Sequence, residues 1–213
     1  MKKTILTFII ICTVITPLLF SQSNASILFS LRQLSDRSWG VFLKPSSSIF
    51  PSDQTLTGTG QVTLVAPDIF EYCEFTNHAG TWGENARVDN PKEAYGRSYI
   101  SFGFLSDTPK LQIFPEEETL LFSFTTDNMF NGLLSLIDNY NDPFASPNSF
   151  FSNPGNDISI ADFGNGVLKF YTYYGNYYQP TGTKRPVFAQ QTQPEDKKQT
   201  DGMAIQWIEE EEK

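Results

Sequence analysis

Apolar positions along this chain recur with a period of two in short runs. Each run is closed by Pro, Gly, Asn, Asp or Ser, and none sustains the three-to-four-residue spacing of an amphipathic helix. Residues 26–34 and 38–44 read as two strands on either side of the turn-like Ser35, Asp36 and Arg37, and 45–53, rich in Ser and Pro, read as a loop. Residues 55–65 alternate small polar with β-branched side chains, as a half-exposed strand does, and Ala66 and Pro67 end it. In 70–76 alternation puts Phe70, Tyr72 and Glu74 on one face and Glu71, Cys73 and Phe75 on the other. Residues 77–95 are polar and glycine-containing around Trp82, which predicts a long excursion.

Apolar strands follow at 98–104 and, after the acidic turn at Pro115, Glu116 and Glu117, at 118–124. Residues 133–137 are strand-like, and the stretch 128–137 also admits a helical turn. The strongest local signal is a hairpin: 158–163 and 167–173 flank Gly164, Asn165 and Gly166, and Asn-Gly supplies the positive φ angles of a tight primed turn. About eight or nine short strands without helical runs predict an all-β fold. The form expected is a single antiparallel β-sandwich, jelly-roll or Ig-like, over residues 26–178.

The ends of the chain read differently. Residues 1–25 carry the basic, apolar and small-residue regions of a secretory signal peptide. A retained anchor is the alternative, but the apolar run is short for a span and contains Pro17. The reading is a secreted protein, extracellular or at the cell surface with the periplasm as the alternative, and no stable membrane span after cleavage. Residues 179–213, rich in Gln, Thr, Pro, Lys and Glu, read as a flexible acidic tail. Its apolar patch at 203–208 either docks on a partner or forms a stray strand.

Charge and cysteine usage narrow the classes. The net charge of -9 becomes more negative when Lys2 and Lys3 leave with the leader, which argues against a nucleic-acid partner. Cys73 is then the only cysteine, so no intrachain disulfide forms and the core alone holds the fold. A small buried hydrophobe on a strand is its expected role.

The chemistry-bearing residues are few. His78 is the only imidazole, no G-x-S-x-G or H-E-x-x-H occurs, and neither a P-loop nor G-x-G-x-x-G is present. Glycoside hydrolysis needs only two carboxylates, but no pair stands out, so no enzymatic activity is expected and a polysaccharide-active hydrolase is a distant alternative. Asp138, Asn139, Asn141, Asp142, Asn156 and Asp157 gather hard oxygen ligands on one connection, as a flexible calcium site does. Asp138, Asn139, Asp142, Asn156 and Asp157 are the candidate ligands and calcium the candidate cofactor. The spacing is not an EF-hand, because Pro143 stands where the loop glycine would be. The competing reading is a set of Asx turns whose path Pro143, Pro147 and Pro154 fix.

Aromatic residues form the second cluster: Tyr171, Tyr173, Tyr174, Tyr177 and Tyr178 crowd the last strand and its exit. Trp82, Tyr171, Tyr173 and Tyr177 are the candidate ligand-binding residues, since exposed rings stack on sugars; filling the core is the alternative. Alternation sets Tyr171 and Tyr173 on one face and Phe170 and Thr172 on the other, and the tyrosine face is the candidate platform.

Several ordered motifs run through the domain. They are Trp39-Gly40-Val41, Thr57-Gly58-Thr59-Gly60-Gln61-Val62-Thr63, Gly80-Thr81-Trp82 with Asn85-Ala86-Arg87-Val88, Tyr99-Ile100-Ser101-Phe102-Gly103-Phe104, Asp138-Asn139 with Asp142-Pro143-Phe144, and Asn153-Pro154-Gly155-Asn156-Asp157. This succession resembles secreted bacterial β-sandwich domains of the cohesin and carbohydrate-binding-module types, found alone or within large surface proteins of polysaccharide-using, gliding bacteria. The resemblance covers approximately residues 26–178. It implies a jelly-roll-like sandwich that binds a dockerin-like partner, a glycan or neighbouring surface proteins, and it supplies no catalytic residues.

These readings make the chain a non-enzymatic binding or adhesion module at the cell surface or in the extracellular matrix, with a surface protein or polysaccharide as partner. The alternative is a structural subunit that self-associates by donating residues 26–34 or the tail as an extra strand.

Overall fold

The structure, a computed structural model, describes residues 26–46, 49–127, 130 and 132–178. The leader and tail segments, with the apolar patch at 203–208, lie outside the described residues. Ten strands follow in chain order: β1 Ile27–Gln33, β2 Ser38–Pro45, β3 Thr55–Pro67, β4 Tyr72–Asn77, β5 Thr81–Asp89, β6 Arg97–Ser106, β7 Thr119–Thr126, β8 Ser135–Leu136, β9 Asp157–Asp162 and β10 Lys169–Asn176. They make one sheet in the order β4-β7-β2-β1-β10-β9-β3-β6-β5, with β8 beside β3, curled nearly into a barrel. No α-helix occurs among the described residues, and none of their helices is long and apolar enough to cross a membrane.

The expected antiparallel-only pattern needs correction, because β1 runs parallel to β10. The reason is the path of β10. Its first half, Lys169 to Thr172, pairs with β9, and from Tyr173 onward it pairs with β1, so one strand crosses between the two halves of the sheet. Ile27, Phe29, Val41, Leu43, Phe122 and Phe124 from one half meet Val62, Leu64, Trp82, Ile100, Phe102 and Ile160 from the other in a single core. Phe75 stacks between Phe102 (ring centroids 5.2 Å apart) and Phe122 (5.0 Å), joining the halves where the sheet path ends.

Those two ends, β4 and β5, are consecutive in the chain. Side chains lace them together: the Asn77 amide both donates to the Trp82 carbonyl (3.2 Å) and accepts from its N–H (2.9 Å). Further along, Tyr72 donates to Glu84 (2.9 Å) and Arg87 donates to the Phe70 carbonyl. Unpaired strand edges invite association with other chains, and this lacing gives the edge groups partners within the chain.

Four local expectations change. The excursion at 77–95 contains β5, an edge strand whose outward Glu84 and Asn85 hide its strand pattern, with irregular pairing between Thr81 and Trp82 and between Glu84 and Ala86. The hairpin closes at Asp162–Lys169, and a 3-10 turn at Gly164–Gly166 replaces the two-residue primed turn. Among the described residues of 128–137 only Ser135 and Leu136 form a strand and no helical turn is seen; Asn128, Met129 and Asn131 lie outside the described residues. Cys73 is on a strand as expected, yet it is exposed, because β4 turns Phe75 inward at a bulge between Tyr72 and Phe75.

Candidate binding surface

The start of β3 builds the candidate surface with β9 and β10. Residues directly opposite across a ladder share a face, and three rows run across these strands. Thr57, Ile160 and Tyr171 point inward, as do Thr55, Asp162 and Lys169 one pair further out. Between them Leu56, Ala161 and Phe170 point outward. Leu56 is 53% and Phe170 51% exposed, and Phe163, Val167 and Leu168 at the hairpin tip are exposed as well. Apolar side chains on neighbouring strands therefore line one solvent-facing row.

Leu56 reaches the outside because of a bulge. Thr57 pairs with Ile160 and Thr59 with Ser159, so Gly58 is an extra residue on β3. A one-residue slip moves every side chain to the other face. Before the bulge the odd-numbered threonines face the core and Leu56 faces solvent; after it Val62 and Leu64 face the core.

A buried carboxylate fixes this corner. Asp162 is 2% exposed, and its Oδ1 accepts from the Ser52 hydroxyl and the Gly164 N–H (2.9 Å), while Oδ2 accepts from the Ser52 N–H (3.0 Å) and the Tyr171 hydroxyl (3.0 Å). Burial pushes the Asp162 carboxyl up, but the bonds from Ser52, Gly164 and Tyr171 outweigh it and bring the pKa down to about 2. The Tyr171 hydroxyl moves the opposite way, up to about 12, through burial and the neighbouring Asp162 carboxylate. Gly164 is required here, since a Cβ would lie 2.2 Å from that of Ser52. The Phe163 N–H donates to the Gln54 carbonyl (3.0 Å), which ties the 49–54 loop to the hairpin.

The aromatic residues picked from sequence lie elsewhere. Trp82 is in the core, edge-on to Phe104, with its indole N–H on the Ala79 carbonyl (2.9 Å). Tyr171 is buried on Asp162, Tyr173 packs on Phe29 with ring centroids 5.3 Å apart, and Tyr177 donates to Glu118 (2.8 Å). Burial raises the pKa of both Tyr173 and Tyr177. The alternation along β10 is as read from sequence, but the tyrosine face points inward and Phe170 belongs to the open side.

The polar connection folds upon itself. Asp138 accepts from the N–H groups of Tyr140 (2.9 Å) and Asn141 (3.2 Å) and from the Asn141 amide (2.8 Å). Burial raises the Asp138 pKa, and these bonds together lower it below the ordinary value. Asp142 accepts from the Tyr99 hydroxyl (2.7 Å) and the Phe144 N–H (2.9 Å), with Arg97 3.7 Å away. Asn139 and Asn156 exchange two bonds between the Asn139 side chain and the Asn156 main chain. The Asn156 side chain takes the Thr63 N–H (2.8 Å) and donates to the Ile137 carbonyl (3.0 Å), filling the gap between β9 and β8 along β3. Asp157, next to Asn156 at the start of β9, is exposed. Among the described residues no three His, Cys, Asp or Glu side chains gather as a metal group.

Two further expectations can be placed. The His78 Nε2 lies 2.8 Å from the Ser123 Oγ, on an exposed part of the surface. The strand proposed for donation, β1, is paired on both edges in its own sheet, with Ile27 and Phe29 fully buried. Comparison of the chain with protein-family models, with curated proteins and with solved structures finds no match.

Proposed function

We propose that the chain is a secreted, sandwich-type, non-catalytic binding module that holds a protein or glycan of the cell surface or extracellular matrix against the outer face of β3, β9 and β10. The observation that carries this reading is the outward row of Leu56, Ala161 and Phe170 across three adjacent strands. Large apolar side chains gathered on one face of a folded surface mark contact sites, because covering them returns their hydrophobic free energy on association. Pre-organisation supports the same reading. The face is part of the main sheet and its corner is pinned through Asp162, so little ordering cost remains at binding.

The test uses the labelled chain and surface material from the source cells. Saturable binding that falls at least tenfold in Leu56→Ser/Phe170→Ser, with the unfolding midpoint kept, supports the proposal. Equal binding by the variant and the wild type refutes it. Protease and periodate treatment of the material separates a protein partner from a glycan.

A further inference from the structure

The far end of β3, about 35 Å from Leu56 at the usual strand rise, carries three nearly bare apolar side chains. Ile69 is 86%, Tyr95 80% and Leu133 90% exposed. Their backbones meet around Pro67. The Asp68 N–H donates to the Gly96 carbonyl (3.0 Å), which ties the 67–70 turn to the turn between β5 and β6, and a Cβ on Gly132 would lie 2.8 Å from the Pro67 Cγ. Phe70, next to Ile69, and Leu134, next to Leu133, pack into the core. At both places the chain sends one apolar residue inside and leaves its neighbour in water.

Ile69 is held there against its backbone preference. It is the third residue of the turn closed by the Phe70 N–H on the Pro67 carbonyl (3.3 Å), at φ 58°, where Gly or Asn is the usual residue and a β-branched one is strained. Glycine would turn the chain without strain and without an apolar side chain in solvent. What isoleucine adds is contact with something outside the fold. The polar groups of these turns are already satisfied: Asp68 accepts from the Asn90 amide (2.9 Å), Asn90 accepts from the Gly96 N–H (2.6 Å), and the N–H groups of Asn90 and Ala94 donate to the carbonyls of Arg97 (2.8 Å) and Pro91 (2.9 Å). Backbone closed in this way can enter a medium of low polarity, where open groups are costly.

Area and charge choose the occupant. At no more than about 250 Å² even for an aromatic side chain, three of them stay below the roughly 800 Å² that each partner gives to a standard protein interface. A bilayer needs no matching relief: aliphatic tips enter the acyl boundary and a tyrosine ring sits at headgroup level. Asp68 and Glu93 balance Lys92 and Arg97 around the turns, and the chain as a whole carries -9, so nothing here attracts it to anionic lipid. We infer that Ile69, Tyr95 and Leu133 anchor the chain weakly and reversibly on a zwitterionic lipid surface. This contact goes beyond the proposed binding role and leaves the outward row, at the start of β3, free for its partner.

Flotation of the secreted chain with phosphatidylcholine vesicles tests it, with binding expected at millimolar lipid. Ile69→Ser/Leu133→Ser should bind at least tenfold less. Ile69→Gly, which accepts a φ of 58°, should bind severalfold less while keeping the unfolding midpoint. Phe50→Ser, at a residue 68% exposed in the loop before β3, and Leu56→Ser/Phe170→Ser should bind vesicles as wild type does. Absence of flotation at several millimolar lipid overturns the inference, as does binding that Ile69→Ser/Leu133→Ser leaves unchanged or that needs phosphatidylglycerol in the vesicles. A concentration-dependent dimer lost in Ile69→Ser/Leu133→Ser, without vesicle binding, also overturns it and gives this end to a second copy. The outward row stands or falls separately, on the response of Leu56→Ser/Phe170→Ser to surface material freed of lipid.

Discussion

Strand β3 presents two outer surfaces, and they have opposite fates. Over its C-terminal half Val65 lies, with Tyr99 of β6, beneath the 137–156 connection, in a small second core with Ala94, Ile137 and Phe144. Over its N-terminal half Leu56 stands in solvent beside Ala161 and Phe170. The chain devotes about twenty residues to covering the first surface. The comparison teaches that the Asp- and Asn-rich connection is a lid for a core, folded by its own side chains, and that the surface open to a partner is the one it leaves uncovered.

The largest effect should come from removing the centre of that lid. Phe144 is buried, with its ring 4.6 Å from that of Tyr99 and 5.8 Å from that of Phe150. Phe144→Ala should cost about 3–5 kcal/mol in urea unfolding. A loss below about 1 kcal/mol would show that the connection is not a packed cover. Next comes Asn156→Ala, which strands the Thr63 N–H, while the Ile137 carbonyl keeps the Asn176 amide (2.8 Å). At about 1–3 kcal/mol for a buried unsatisfied group, the variant should lose about 2 kcal/mol, and calcium should not restore it.

Asp162 sharpens the other side of the comparison. Its pKa falls from 3.8 unfolded to about 2 folded, so its stabilising contribution is complete above the unfolded value and disappears as pH drops through the folded one. At 1.36 kcal/mol per unit this is about 2 kcal/mol. Wild type should lose that much more stability than Asp162→Asn between about pH 5 and pH 2. Parallel curves for the two proteins would mean that Asp162 does not fix the hairpin. The smallest stability change is expected on the open face: Leu56→Ser and Phe170→Ser should each stay within about 0.5 kcal/mol of wild type.

Much of the architecture was legible in the sequence. Period-two runs and turn residues located nearly every strand, and the pairing of 158–163 with 167–173 appears as β9 and β10. Other features depended on contacts far apart in the chain. The parallel β1–β10 pair joins the two ends of the domain, and no local pattern encodes it. β5 was hidden because an edge strand with polar outward residues lacks the apolar signature of a central one. The site was harder to see for a sharper reason. Thr55-Leu56-Thr57 reads as leucine in and threonine out, and only the Gly58 bulge inverts it. On β10 the two faces were separated correctly, but the sequence does not say which one meets the core: Tyr171 and Tyr173 went inside through Asp162, Asn156 and Phe29.

The most direct measurement is hydroxyl-radical footprinting of the chain free and bound to its surface material. Protection confined to Leu56, Phe163, Leu168 and Phe170, with Phe151 on the lid equally reactive in both states, is the result this account predicts. Protection at Phe151 with none at Leu56 and Phe170 would contradict it, and would move the contact to the covered side of β3.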